Sequence, residues 1–177
     1  MGEEGRRGVI ILGIDPAIRT TGYGVVRVES VARFEILDCG VIANAQRLPH
    51  TECLRRLAGG IRELVGAFAP ECASIEDPFV GKNASTAIIL GMARGAILTA
   101  LAEASVPVFA YSPSSAKRAA FGNGRATKEQ VALMISAETG IEIERIPLDS
   151  TDAIALAVCH AQSVFRNGMV PTRGKQL

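Results

Sequence analysis

Four carboxylates stand out in this sequence by where they fall. Asp15 closes the apolar run Val9–Asp15 (VIILGID), and Glu76 stands near the end of a second short run, Cys72–Asp77 (CASIED); both runs stop at a proline. Asp149 and Asp152 open the last helical stretch three residues apart, which puts both side chains on one helix face. Each has an ordinary explanation alone: strand-end carboxylates sit at surfaces, and acids at a helix start cap free N–H groups and complement the dipole. Gathered at the C-terminal edge of an α/β sheet, where such sheets place ligands, four anions would repel one another unless divalent cations lay among them. A donor set of carboxylates without His or Cys selects hard ions such as Mg²⁺ or Mn²⁺. Two such ions about 4 Å apart would clamp a phosphodiester for in-line attack, one activating the water and the other stabilising the leaving 3′ oxygen. That chemistry needs no side-chain nucleophile, and the chain offers no G-x-S-x-G motif.

The cations are unevenly spread. Between Phe79 and Lys128 the sequence places Lys82, Arg94, Lys117, Arg118, Arg125 and Lys128 against one acid, Glu103, whereas the stretch from Glu129 to Asp152 is acidic apart from Arg145. A local positive field attracts a polyanion even though the whole chain, with 19 Lys and Arg against 18 Asp and Glu, carries only +1. In Phe121–Lys128 (FGNGRATK) a Gly-rich turn carries Arg125 and Lys128 into a helix N-terminus, an arrangement suited to phosphate. Phe79 lies in the loop after Glu76, with Lys82 and Asn83 close behind; most lone Phe residues are core, but one on a loop beside Lys could instead stack on a base.

These residues need a scaffold. Val9–Asp15 reads as a buried central strand, and Thr21–Val28 and Arg33–Ile42 follow with connections too short for crossover helices, which predicts an antiparallel meander. His50–Phe68 carries Leu54, Leu57, Ile61, Leu64, Val65 and Phe68 at helical spacing, and its Gly59-Gly60 pair suggests close packing. Cys72–Asp77 is a fourth strand, Asn83–Ala104 a helix with a stripe of small residues at Ala87, Gly91 and Gly95, and Val106–Tyr111 a fifth strand reached by a right-handed crossover. Thr127–Glu138 and Ser150–Phe165 are the last predicted helices. The fold class is therefore α/β, a mixed five-stranded sheet with helices on its faces.

Composition agrees with one globular domain: 48% of the 177 residues are apolar and 21% charged. Aromatic residues make up 5% and Trp is missing, which argues against broad aromatic stacking surfaces. Cys39, Cys53, Cys72 and Cys159 are widely spaced with no C-x-x-C pair, as expected of buried hydrophobes in a reducing compartment. Met1–Gly8 lacks the apolar core of a signal peptide, and the hydrophobic stretch from Ala84 to Ala102 is interrupted by Arg94. The expectation is a soluble cytoplasmic protein with no membrane segment: residues 1–8 a disordered extension, 9–166 the folded domain, and 167–177 a flexible tail.

Four strings carry a resemblance. GIDPAIRTTGYGVV (13–26), IEDPFVGKNASTAIILGMARG (75–95), AKRAAFGNGRATKEQV (116–131) and LDSTDAIALAVCHA (148–161) resemble the RuvC family of Holliday-junction resolvases, in the family's order, over about residues 9–165. The resemblance implies an RNase H-like fold, a homodimer, and paired nicking of four-way junction DNA with two Mg²⁺ per active site, Mn²⁺ substituting. It places Asp15, Glu76, Asp149 and Asp152 on the catalytic, metal-holding carboxylates. Lys117 and Lys128 fall near the scissile DNA, Lys128 with a catalytic role, and Phe79 falls on a base-contacting aromatic; Lys82, Asn83, Arg118 and Arg125 are further candidates for DNA contact. RuvA and RuvB, branch-migration proteins, are the implied partners. The family's D-P-G turn reads D-P-A here, so a positive φ at Ala17 would cost about 1 kcal/mol of strain.

Other readings make different demands. The D-P-x-x-x-T-T-G hairpin also resembles the phosphate loop of sugar kinases and actin-like ATPases, but those need two such domains and a nucleoside pocket. A non-catalytic junction-binding module would have lost acids that are all present here. An RNase H acting on RNA–DNA hybrids shares the carboxylates, and only the match over 75–131 argues against it.

Overall fold

A computed structural model describes residues 8–30, 33–77, 83–166 and 175–177. Phe79 and Lys82, and most of both chain ends, lie outside the described residues. The elements run β1 (Val9–Asp15), β2 (Thr20–Ser30), β3 (Arg33–Ala43), α1 (His50–Phe68), β4 (Cys72–Glu76), α2 (Ala84–Glu103), β5 (Val108–Tyr111), α3 (Pro113–Phe121), α4 (Lys128–Thr139), α5 (Thr151–Arg166) and β6 (Lys175–Gln176).

The sheet order is β3-β2-β1-β4-β5-β6. The first three strands form the expected antiparallel meander, and β4 and β5 join β1 in parallel. The β1–β4–β5 strands thus point their C-terminal ends the same way, as right-handed crossovers through α1 and α2 require. Strand alternation divides the core into two layers. Ile11, Val26, Val28, Cys72 and Phe109 face α3, α4 and α5, whereas Leu12, Ile14, Val25, Ala73 and Ile75 face α1 and α2.

Two departures from expectation are informative. The sheet gains a sixth strand, because Lys175–Gln176 pairs antiparallel with Phe109 and Ala110 at the edge beyond β5. Helix α3 was not foreseen, although its signals are in the sequence: Ser112 caps it by accepting from Ser115 N, Pro113 takes the first turn, and Gly122 ends it at φ 76°. The α4 start was legible in finer detail, since Thr127 and Gln130 form a reciprocal capping box.

The expected strain at Ala17 is not there. Ala69 and Ser105 are the non-glycine residues with positive φ among the described residues. Ala17 instead closes a local loop: its N–H donates to Thr21 Oγ1 (3.2 Å), and that hydroxyl donates back to Ala17 O (2.5 Å). A residue with a Cβ is therefore tolerated in this turn. All four cysteines are free, and burial pushes the thiols of Cys72 up to about 12 and Cys159 up to about 11, so both behave as small hydrophobes.

Candidate active site

Alternation along the parallel strands decides where the first two carboxylates point. Residues 11 and 13 on β1 and 72 on β4 face the α5 side, so Asp15 and Glu76 project to that side too. Ile14 pairs with Ile75, which leaves Asp15 and Glu76 side by side where the two strands end. Their carboxyl groups are close enough that Glu76 raises the pKa of Asp15.

Helix α5 reaches this edge because three glycines let it. Gly13 pairs with Gly24, and Asp15 with Gly22, so the bare backbone of β1 and β2 forms a flat patch under the helix start. A Cβ on Gly13 would lie 1.9 Å from Ala153 O, and one on Gly22 would lie 1.9 Å from Asp149 O. Gly24 is nearly as tight, 2.6 Å from Ile154 Cγ1. These contacts set the 3₁₀ turn Leu148–Ser150 and the first turn of α5 directly against the strands that carry Asp15. The hairpin register made this patch derivable from the sequence, but only once the position of α5 was known.

The structure draws three of the four acids near one another and leaves the fourth farther out. Asp152 is close enough to Asp15 to raise its pKa, while Asp149 stands farther out on the β2 side, its side chain about half exposed. Among the described residues, no group of three or more His, Cys, Asp or Glu side chains is drawn together as a preformed ion cage. Two lysines lie among the acids. Lys117 Nζ is 2.8 Å from Asp152 Oδ1, with both side chains mostly buried, and Lys128 Nζ donates to Asp149 Oδ1 at 2.7 Å. Asp152 Oδ1 is itself buried, with the Lys117 ammonium as its ion-pair partner.

The electrostatics follow from crowding. Burial first, then the hydrogen bond to Glu76 and the charges of Glu76 and Asp152, push the Asp15 carboxyl up to about 8, against the pull of Lys128. Burial works against the charge on Lys128, yet Asp149, Asp152 and Asp15 together hold its ammonium protonated above the ordinary range. A buried carboxyl crowded by other carboxylates, and a buried carboxylate oxygen that already attracts a cationic lysine, both suit a site that takes hard cations. The all-oxygen donor set fits that group.

The remaining candidates are spread out. Arg118 and Arg125 are exposed on the α3–α4 side, and Asn83 caps α2 by accepting from Thr86 N (3.2 Å). The α4 N-terminus spends its Gln130 N–H on the capping box, so the phosphate cradle expected there is partly filled by the chain itself. Arg94 does not belong to the outward positive field: it is buried at 8% exposure, and its guanidinium donates to Glu76 O. Sequence reading missed that role; the signal, a lone Arg among buried apolar positions of α2, was read as surface charge.

A mixed sheet of this order, with acidic residues at the ends of its first and fourth strands and on its last helix, is the RNase H-like plan of a metal-dependent nuclease. The family model described as "Crossover junction endodeoxyribonuclease RuvC" matches residues 11–160. The chain belongs to that family. It is 41% identical over 151 residues to the crossover junction endodeoxyribonuclease RuvC of Chlorobaculum parvum, covering 85% of this chain and 80% of that one. Against the protein of the same name from Chloroflexus aurantiacus it is 39% identical over 150 residues, covering 85% and 91%. The structure of Thermus thermophilus RuvC in complex with Holliday junction substrate superposes with a TM-score of 0.83 at 35% identity, covering 96% of this chain and 99% of that one. The yeast mitochondrial Holliday junction resolvase shares the fold, with a TM-score of 0.65 at 14% identity.

Proposed function

We propose that this chain resolves four-way DNA junctions by two symmetric nicks, hydrolysing phosphodiester bonds with Asp15, Glu76, Asp149 and Asp152 as its catalytic and metal-holding groups. The observation that carries the assignment is the Asp15–Glu76 pair, held at adjacent strand ends on the α5 side with Asp152 beside it. The bound group would be Mg²⁺, two per site, with Mn²⁺ able to replace it; it would supply positive charge to the attacking water and the leaving oxygen. The chain's own residues then have separable tasks. Asp15 and Glu76 would hold the cations from adjacent strand ends, Asp15 giving up its proton to do so. Asp152 would offer a buried oxygen now paired with Lys117, and Asp149 would contribute from the rim.

Lys117 and Lys128 pair with Asp152 and Asp149. With cations held by those carboxylates, both ammonium groups would be available to DNA phosphates, Lys128 being placed to assist the reaction. Phe79 and Lys82, which follow β4 in the sequence, with Asn83, Arg118 and Arg125, are the further DNA contacts of this reading. Residues 9–166 form the nuclease domain in this reading, with extensions at 1–8 and 167–177, and the protein works in the cytoplasm.

Two opposed cuts call for a pair of equivalent sites, which a C₂ homodimer provides. Helix α2 is the surface we assign to that pairing. It is long and apolar enough to cross a membrane by length and composition, yet its Ala93, Ile97, Ala100 and Leu101 are buried against the domain. Its other side leaves Ile88 64% and Met92 39% exposed, and Cβ atoms on Gly91 or Gly95 would meet nothing within 4 Å. An apolar face with open glycines suits a second copy of the same helix. Branch-migration proteins of the RuvA and RuvB type are the partners this activity calls for.

One gel tests the assignment. A synthetic immobile junction, a linear duplex and an RNA–DNA hybrid are each incubated with Mg²⁺ and with chelator. Paired nicks confined to the junction and dependent on Mg²⁺ are expected; cleavage of the hybrid instead would overturn the reading. Sedimentation at micromolar concentration should show a dimer, and Ile88→Glu should yield a monomer.

A further inference from the structure

We infer that Arg94 is a positioning residue for metal binding, acting from beneath the site by fixing the main chain of Glu76. The inference rests on the reading of Glu76 as a metal ligand. Arg94 sits on the inner face of α2, buried beside Ala93 and Ile97, and the domain interior is an expensive place for a guanidinium. Its Nη1 donates to the carbonyl oxygen of Glu76, and the carboxylates of Glu76 and Asp77 are the charges that face it.

This contact falls where the sheet stops holding the chain. β4 ends at Glu76, and the next residue makes one last ladder bond, Asp77 N–H to Tyr111 O at 2.8 Å. Beyond β4 the carbonyl of Glu76 takes its bond from Arg94 across the layer. The metal-holding carboxylate is thus anchored through its own backbone from two directions, β5 and α2. Arg94 also reaches the other strand end. It shares with Pro16, Glu76 and Leu90 a space of about 10 Å³, no larger than one water, so the residue after Asp15 rests against the same side-chain wall. A planar, permanently charged donor is suited to this task, because it satisfies the carbonyl and moderates the repulsion between acids that must stay close.

The test separates positioning from plain stability. Wild type, Arg94→Met, Arg94→Lys and Glu76→Gln are titrated with Mn²⁺ without DNA, following heat by calorimetry, and melted in chelator. Junction binding is measured in chelator as well. Arg94→Met is expected to weaken Mn²⁺ binding by about tenfold or more, as loss of an outer-shell partner does, while junction affinity in chelator holds within about twofold. Arg94→Lys, which keeps a charged donor, should recover most of the loss. Cleavage at saturating Mn²⁺ should then show a lowered kcat with KM for the junction unchanged. An Arg94→Met protein that melts lower but binds Mn²⁺ as wild type does would overturn the inference and leave a purely structural residue. Should Arg94→Met not fold, Arg94→Gln reads the same titration. A wild-type affinity that Glu76→Gln leaves unmoved would instead remove the metal assignment beneath it.

Discussion

The two faces of the sheet are packed on opposite principles. On the α5 side, glycines 13, 22 and 24 bring helix backbone onto strand backbone, and a single added methyl would collide with a carbonyl at 1.9 Å at two of the three positions. On the other side α1 and α2 meet the sheet through Ile14, Val25, Ile61, Ile75 and Ile97, and helix glycines such as Gly59 and Gly66 have open space where a Cβ would go. Branched side chains can repack by changing rotamer, whereas backbone against backbone has one solution. The precise face carries the carboxylates. The adaptable face carries the groove of about 520 Å³ along α1 and β3, and the apolar outer side of α2.

That contrast can be broken by measurement, and the largest effect belongs to the precise face. Asp152→Asn should lower junction cleavage on the order of a thousandfold, the several kcal/mol expected of lost metal assistance. Junction binding in Ca²⁺ should persist, and retained nicking would contradict the assignment. Gly22→Ala should cost about 3 kcal/mol of stability by overpacking, read from denaturant melts, and should weaken Mn²⁺ binding in whatever fraction folds. A stable, metal-competent Gly22→Ala protein would show that the α5 contact is no constraint.

A third test uses pH in the presence of chelator. Asp15 has a folded pKa of about 8, above its unfolded value, so its contribution is fully present below about pH 4 and declines as pH rises through 8. His160 has the opposite sign. Burial lowers its pKa to about 4, and the neutral ring stacks on Phe109 and shares a 2.8 Å hydrogen bond with Tyr111. Its contribution is present above about 6.5 and lost as pH falls toward 4, a swing of about 3 kcal/mol. The two oppose each other between 4 and 6.5, and from 6.5 to 8 only the Asp15 decline remains. Asp15→Asn should therefore abolish that decline and raise metal-free stability at pH 7 by up to about 4 kcal/mol. Thermal melts across the range check the sign, and an unchanged profile would mean that Asp15 titrates normally. The smallest effect lies on the adaptable face: Gly66→Ala should stabilise by up to about 1 kcal/mol, since helix propensity rises and nothing is displaced.

The meander, the crossovers, the two long helices and the carboxylate set were readable because each rests on a local pattern: alternation, 3.6-residue periodicity, or an acid before a proline. Helix α3 went unread although Ser112-Pro113 and Gly122 bracket it, because nine residues rich in Ser and Ala carry too little periodicity to announce themselves. Arg94 was misjudged for a related reason. A cation on an apolar helix looks the same in sequence whether it meets solvent or a carbonyl, and only the position of Glu76 distinguishes the two.

Residue types and spacing along the chain thus settled which groups are present and which strand or helix bears each one, since both depend on interactions within a few residues. How near those groups come to one another was left to tertiary packing. Asp15 and Glu76 stand side by side at adjacent strand ends while Asp149 keeps to the rim beside Lys128, and bare glycine backbone lets α5 descend to meet them. Distances of that kind arise from contacts between segments separated by many turns of chain, the glycine contacts by more than a hundred residues, and no local pattern is sensitive to them.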